Sequence, residues 1–334
     1  MPEPSADRGA TFADMAGLSG MATRLVIVFV ITLIAAVTLP RLAAAAEPLA
    51  FADPAATEIA ALDGSIAWAS GPRTGPQRLM IHTASGTRRV PGAPLAVGYR
   101  SLDLGRDDHG GLVLSYQRCR TLSACAARRD DLHGHRSSFR GLAPAGCTLT
   151  TAPAIWRYRV AYGLFCAQAG REDQRRSGLY VKAVGTAPRR IARPSEVARY
   201  GISSVTSVDL RATTVAAIYS DIYSYAAISG IWGGGMRAFL AGASEGESDA
   251  HVPGLALGSG GVLWALTDAE HAGDPLEAII FRLIGGCRSH EVMQTPEASG
   301  TYAATDIAVD GTRLYELVPG VGIRLHAFTP SAGC

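Results

Sequence analysis

The sequence contains no asparagine, and Lys182 is the only lysine among its 31 Lys and Arg residues. A chain without asparagine has no acceptor for N-linked glycosylation, which excludes that modification. We interpret the strong preference for arginine as codon usage in a GC-rich bacterial genome rather than as a functional choice.

The chain also lacks an excess of either charge. It has 31 Lys and Arg residues and 29 Asp and Glu residues, which gives a net charge of +2. Nucleic acids and anionic membranes attract strongly basic surfaces, so neither is expected as a partner. No C-x-x-C pair is present, so no zinc site and no resident metal ligands are predicted from the cysteines.

Long apolar runs are scarce, and the longest covers Leu25 to Leu39. A helix of this length is too short to cross about 30 Å of hydrocarbon. Arg24 precedes the run, and the small residues Ala44 to Ala46 follow it before Glu47. A basic start, an apolar run and an A-x-A site are typical of a cleaved secretory signal peptide.

The sequence therefore predicts a signal peptide over residues 1–46 and a single mature domain over residues 47–334, with no transmembrane anchor after cleavage. The expected location is secreted or extracytoplasmic, in the periplasm or cell wall. Whether translation starts at Met1 or Met21 stays open.

Six cysteines remain in the exported part, and an even number in an oxidising compartment predicts disulfides. The first pair flanks a short connection between strands, and the second is opposed across a hairpin if Arg157 and Tyr158 form its turn. The third pair consists of the two remaining cysteines, and its disulfide would link the C-terminus to an earlier repeat. The predicted bridges are Cys119–Cys125, Cys147–Cys166 and Cys287–Cys334.

Six short apolar segments, each ending in an aromatic residue, recur at intervals of 45 to 57 residues. The aromatic residues are Trp68, Tyr116, Tyr162, Tyr219, Trp264 and Tyr315. Such a period carried by short strands is typical of β-propellers, and the mature part shows no helical apolar period. The sequence predicts an all-β fold, a six-bladed β-propeller of four-stranded antiparallel blades.

The sixth repeat is one strand short, and residues 49–60 are expected to supply it, so that an N-terminal strand closes the ring. Closure would leave no long sheet edge exposed. The repeated aromatic residues have two interpretations, as wedges packed between blades or as a ring of sugar-stacking platforms. Because a ligand site is rarely six-fold, packing is the favoured interpretation.

Two stretches carry a resemblance to a known family. Asp63–Trp68 followed by Leu79–Val90, and in part Gly178–Ile191, resemble the repeat of TolB-like six-bladed propellers, a WD40-like or PD40 repeat. In that family an Asp-Gly turn precedes an apolar strand, and a second strand ends in a glycine turn. The resemblance implies a propeller fold, export, and a role in binding envelope partners. The family's full Ser-Pro-Asp-Gly turn is absent here.

Two apparent catalytic or metal motifs are not assigned. Gly242–Gly246 matches the G-x-S-x-G nucleophile pattern around Ser244, which needs a sharp turn into a helix. Pro253 follows too soon for that helix, so no catalytic serine is predicted. His133 and His135 share a strand face, but they lie in a highly charged segment that is expected to face solvent.

Three aspartates are the candidate ligand-binding residues. Asp103, Asp209 and Asp306 begin the first strand of alternate repeats, and the first strand of a propeller blade lines the central channel. They are predicted to converge at the channel mouth as a site for a polar ligand or for calcium, which prefers oxygen ligands. In the alternative, each aspartate caps its own turn or hydrogen-bonds a neighbouring blade.

These features predict a monomeric binding or interaction module at the bacterial cell envelope, with an envelope protein or polysaccharide as partner and no cofactor beyond the calcium alternative. A secreted hydrolase or lyase with its active site at the channel mouth is the competing hypothesis, since glycoside chemistry uses paired carboxylates. A third hypothesis is a purely structural component of the envelope that binds no small ligand.

Overall fold

The structure is a computed structural model. It describes residues 49–72, 75–121, 123–168, 171–172, 175–192, 204–220, 224–230, 237–240, 251–269, 277–283, 290–295 and 304–327. The predicted signal peptide, Ser244, and the cysteines Cys287 and Cys334 lie outside the described residues. The chain divides after Glu47, and every strand below belongs to the unit Pro48–Cys334.

The described residues form twenty-six β-strands and one short 3-10 turn, Ser259–Gly261, without an α-helix. The chain is therefore all-β, as the sequence predicts. The strands of the first sheet are β2 (Ala56–Leu62), β3 (Ser65–Ser70), β4 (Arg78–Thr83) and β5 (Gly86–Arg89). Each is antiparallel to the next along the chain.

A ten-stranded sheet follows. Its strands are β6 (Gly98–Arg106), β7 (Leu112–Cys119), β8 (Cys125–Asp130), β9 (Arg136–Ser138), β10 (Cys147–Leu149), β11 (Ala154–Trp156), β12 (Arg159–Gln168), β13 (Arg171–Glu172), β14 (Gly178–Ala183) and β15 (Arg189–Ala192).

Three further four-stranded sheets complete the fold. One contains β16 (Ser204–Arg211), β17 (Thr214–Ser220), β18 (Ser224–Gly230) and β19 (Arg237–Leu240). The next contains β20 (His251–Leu257), β21 (Leu263–Ala269), β22 (Glu277–Leu283) and β23 (His290–Thr295). The last contains β24 (Asp306–Asp310), β25 (Arg313–Val318), β26 (Gly322–Ala327) and β1 (Leu49–Phe51).

The ten-stranded sheet consists of two antiparallel groups, joined where Trp156 of β11 pairs with Arg106 of β6 in parallel. The sequence predicts two separate blades here. Gly105 explains the junction, because a Cβ at this position would collide with the carbonyl oxygen of Ile155. Only glycine lets the two backbones approach closely enough to pair.

The N-terminal strand contacts two sheets at once. β1 pairs with β26 of the last sheet, while the ring of Phe51 stacks on Trp68 of the first sheet with centroids 4.8 Å apart. The indole nitrogen of Trp68 also donates to Asp53 at 2.8 Å. Only Leu49–Phe51 joins the last sheet, so the expected range of 49–60 is too long, since β2 belongs to the first sheet.

The repeated aromatic residues lie in the core. All six are buried, with at most 6% of the residue exposed. Apolar clusters join successive sheets in chain order, and one of them joins the last sheet to the first through Trp68 and Tyr315. Burial at equivalent positions supports packing between sheets rather than a ring of sugar platforms.

Two disulfides are present among the described cysteines, Cys119–Cys125 and Cys147–Cys166. These are two of the three predicted pairs. The members of each pair face each other directly across neighbouring strands. The predicted two-residue turn is also found, since Trp156 pairs with Arg159 around Arg157 and Tyr158.

Candidate functional site

The first strands of successive sheets surround a cavity of about 790 Å³, which we call the channel cavity. Its wall includes residues from β2, β6, β16, β20 and β24, together with residues from β10 and β12. These inner strands bring together charged and hydroxyl side chains that lie far apart in the sequence. The cavity is concave and gathers several charged side chains, which makes it the candidate ligand site.

All three predicted aspartates lie on the cavity wall, and each accepts a backbone N–H from an inner strand of the following repeat. The pairs are Asp103 with Ile155 at 3.1 Å, Asp209 with Leu257 at 2.6 Å, and Asp306 with Ile59 at 3.0 Å. These are the contacts of the alternative interpretation, in which each aspartate hydrogen-bonds a neighbouring blade. The aspartates thus line the cavity and form hydrogen bonds between the strands of its wall.

Glu58 makes a fourth contact of this kind, since its carboxylate accepts the N–H of Ser101 at 3.1 Å. β-Bulges lie near the amino ends of β2, β6, β16 and β20. A bulge bends its strand and changes the direction in which nearby side chains point. The bulge between Ala56 and Glu58 therefore helps to explain why Glu58 joins the channel cavity, which the alternating pattern of the sequence did not indicate.

Two arginines on the wall offset part of this negative charge. Arg100 is exposed and lies near the amino ends of the inner strands. Arg211 ends β16, and its guanidinium donates to the carbonyl oxygens of Ala61 at 2.8 Å and Val309 at 3.1 Å. Arg211 thus connects β16 to both β2 and β24 across the cavity. Arg211 is two residues after Asp209 and therefore on the same strand face, a spacing that is visible in the sequence.

Burial dominates the electrostatics of the three aspartates. It raises the pKa of Asp103, and the neighbouring charge of Asp209 raises that pKa further, while Arg211 lowers it. Burial also raises the pKa of Asp209, against the opposing effect of Arg211. The pKa of Asp306 is raised by burial and by the nearby charge of Glu58. Carboxylates of this kind hold a proton more tightly than exposed ones.

The described residues offer no group of three His, Cys, Asp or Glu side chains close enough to hold a metal ion. The calcium alternative therefore gains no support from the described geometry.

The imidazole of His135 pairs with Asp131 at 2.8 Å, and Asp131 also accepts the backbone N–H of His133. These histidines are exposed and help to organise their own loop.

Stability should depend on pH through the buried aspartates. A carboxyl whose pKa is higher in the folded state than in the unfolded state, where it is about 3.9, stabilises the fold at low pH. That contribution is lost as the pH rises through the raised pKa. We expect Asp103→Asn, which keeps an acceptor for Ile155, to give a smaller decrease in unfolding free energy between about pH 4 and pH 8 than the parent chain.

Urea unfolding at several pH values measures this slope, and Asp108→Asn is the control, because the Asp108 side chain is 62% exposed. If the unfolding free energy changes with pH equally in Asp103→Asn and in the parent chain, ionised Asp103 does not destabilise the fold, and the prediction is wrong.

The chain matches none of the protein-family models scanned. No curated protein matches it either. Among solved structures, it is similar to a puromycin-hydrolysing peptidase from Mycobacterium tuberculosis, at 13% identity and a TM-score of 0.46, with 85% of this chain and 55% of that chain covered. The chain thus spans about half the length of that peptidase.

The β-propeller domain of the Trilobed protease from Pyrococcus furiosus is similar at 11% identity and a TM-score of 0.44, covering 83% of this chain and 82% of that chain. A lectin from Aleuria aurantia is similar at 10% identity and a TM-score of 0.46, covering 86% of this chain and 99% of that chain. These likenesses carry neither an activity nor a ligand over to this chain.

Proposed function

We propose that residues 47–334 form a six-bladed β-propeller that β1 closes between the last and first sheets. Three observations support it. The inner strand β2 contacts both β6 and β24, β16 contacts β6 and β20, and β20 contacts β24. Shared apolar clusters follow the same cyclic order. β1 pairs with the last sheet while Phe51 packs on the first.

We further propose that the protein is an exported binding module of the bacterial cell envelope, and that its ligand enters the channel cavity. The two disulfides fit an oxidising compartment outside the cytoplasm. No helix among the described residues is long and apolar enough to cross a bilayer.

The observation that carries this proposal is the composition of the cavity wall. Glu58 and the three aspartates provide acceptors, Arg100 and Arg211 provide donors, and threonine hydroxyls provide both. A wall of mixed charge suits a neutral, hydroxyl-rich ligand, because hydrogen bonds rather than net charge would select it. A neutral segment of an envelope polysaccharide meets this description, and a polar segment of an envelope protein is the second kind of partner.

Calorimetric titration of the exported chain with fractionated neutral cell-wall polysaccharides tests the proposal. We expect Arg100→Ala to weaken binding about tenfold, the loss typical of a charge-assisted hydrogen bond. Arg78→Ala is the matched control, since Arg78 is also exposed but lies outside the channel cavity. Equal affinities for the parent chain and Arg100→Ala would overturn the assignment of the cavity.

Asp103 and Asp209 give a specific reason to keep a hydrolase or lyase as the second candidate. Asp103 is buried and Asp209 is half-buried on the cavity wall, and the charge of Asp209 raises the pKa of Asp103. Two carboxyls that interact electrostatically are the groups that serve as acid and base in glycoside cleavage. Release of reducing ends from a bound polysaccharide, abolished in Asp103→Asn, would favour the enzyme over the binding module.

A further inference from the structure

An arginine cluster lies on the sheet that contains β6 to β9, and none of its arginines lines the channel cavity. Its members are Arg118 on β7, Arg120 just after β7, Arg128 on β8 and Arg136 on β9. One cavity of about 270 Å³ is lined by Tyr116, Arg118, Arg128, Arg136, Ser137 and Ser138. A second, of about 320 Å³, shares Arg118 and Arg128 and adds Arg120. The two cavities therefore adjoin along a common arginine pair.

Positive charge in the cluster is largely uncompensated. Arg136 lies 3.4 Å from the buried carboxylate of Asp130. Within the described part of the chain, Arg118, Arg120 and Arg128 form no ion pair with a carboxylate. Guanidinium groups held close together repel each other, and a bound oxyanion would remove that repulsion while accepting their N–H groups.

The strand register directs these side chains to one place. Tyr116 is opposite Arg128, which in turn is opposite Ser138 on the next strand. Arg118 is two residues from Tyr116 and thus on the same face of β7. The guanidinium of Arg118 is oriented by donating to Leu95 O at 3.2 Å.

Two buried polar atoms beside the cavities have no hydrogen-bond partner among the described residues, the hydroxyl of Tyr116 and Nε of Arg118. Burial, with the nearby charge of Asp130, raises the pKa of Tyr116 above its ordinary value. The hydroxyl is therefore a hydrogen-bond donor at neutral pH. Donors without acceptors beside unpaired guanidinium groups indicate a site for an oxygen anion.

We propose that the arginine cluster binds an acidic polysaccharide, with successive anionic groups of the polymer held in the two adjoining cavities. None of the four arginines lines the channel cavity, although Cys125 lines both that cavity and the second cavity of the cluster, and the proposal does not depend on the proposed function. Arginine matches sulfate and carboxylate through paired N–H donors, and serine hydroxyls can bond the sugar. Single-stranded nucleic acid would stack its bases on exposed aromatic rings, and Tyr116, the aromatic residue of the described lining, is buried.

Binding of dextran sulfate, polygalacturonate and neutral dextran to the exported chain, measured by calorimetry at low salt, tests the proposal. We expect both acidic polymers to bind, neutral dextran not to bind, and added salt to weaken the interaction. The preferred acidic polymer identifies the anionic group. Arg118→Gln with Arg128→Gln should weaken binding at least about tenfold, whereas Arg78→Gln with Arg313→Gln, at exposed positions elsewhere, should not.

Arg120→Gln is a second variant, because Arg120 is exposed after its strand and its replacement leaves the sheet intact. It should weaken binding by a smaller factor, and Arg100→Ala in the channel cavity should have no effect. The proposal is overturned if neither acidic polymer binds, if the control pair loses affinity to the same extent, or if a single-stranded DNA oligonucleotide binds as tightly as the better acidic polymer.

Discussion

Replacement of Arg211 by methionine is expected to lower the free energy of unfolding by about 3 kcal/mol at neutral pH, because hydrogen bonds from a charged donor contribute about 1.5–3 kcal/mol each and Arg211 makes two. Arg211 donates to Ala61 on β2 and Val309 on β24, and its charge lowers the pKa of both Asp103 and Asp209. Methionine fills similar space but removes the positive charge that lowers the pKa of Asp103 and Asp209, and it leaves two carbonyl oxygens without this donor.

The electrostatic part of this loss should depend on pH. Because their pKa is raised, the carboxyls of Asp103 and Asp209 carry less negative charge at pH 4 than at pH 7, so Arg211→Met should cost less at the lower pH. Adding Asp103→Asn to Arg211→Met should recover part of the stability at pH 7, since one of the two carboxylates is then neutral. Arg313→Met is the exposed control. A cost that is independent of pH, with no recovery in the double variant, would show that Arg211 acts by packing alone.

The regular features of the fold could be predicted from the sequence because they depend on local patterns. The Asp63-Gly64 turn, the Arg157-Tyr158 turn and the aromatic period each reflect a backbone or packing requirement at a fixed spacing. The Cys147–Cys166 bridge followed from counting residues away from one such turn. The positions of the strands, the buried residues and two disulfides can therefore be predicted from local sequence patterns.

The channel cavity was predicted only in part, for a physical reason. The aspartates could be placed on inner strands, but their hydrogen bonds depend on how adjacent sheets approach each other, which local pattern does not specify. The bulge before Glu58 interrupts the alternation of side chains that sequence reasoning assumes. The arginine cluster was missed because Arg118, Arg128 and Arg136 come from three strands, and their proximity depends on strand register.

Deleting Leu49–Pro54, and with it β1, is expected to lower the free energy of unfolding by about 4 kcal/mol. The aromatic contact of Phe51 with Trp68 would be lost, at about 3 kcal/mol for a large-to-small change, together with about 1 kcal/mol for the hydrogen bond from Trp68 to Asp53. For a domain of this size the change corresponds to a melting temperature lower by about 10 °C. Thermal unfolding followed by circular dichroism measures it.

A point substitution can displace β1 from the last sheet without deleting any of its residues. Gly322 has a φ of +130°, and a Cβ there would collide with the carbonyl oxygen of Phe51, so Gly322→Val should displace β1 while keeping every residue. If β1 fastens the last sheet to the first, Gly322→Val and the deletion should lower the melting temperature similarly. Leu95→Ala, at a side chain that is 54% exposed, should leave it unchanged. A deletion variant as stable as the parent would mean that the last and first sheets stay together without β1, since the remaining contact between β2 and β24 would then suffice.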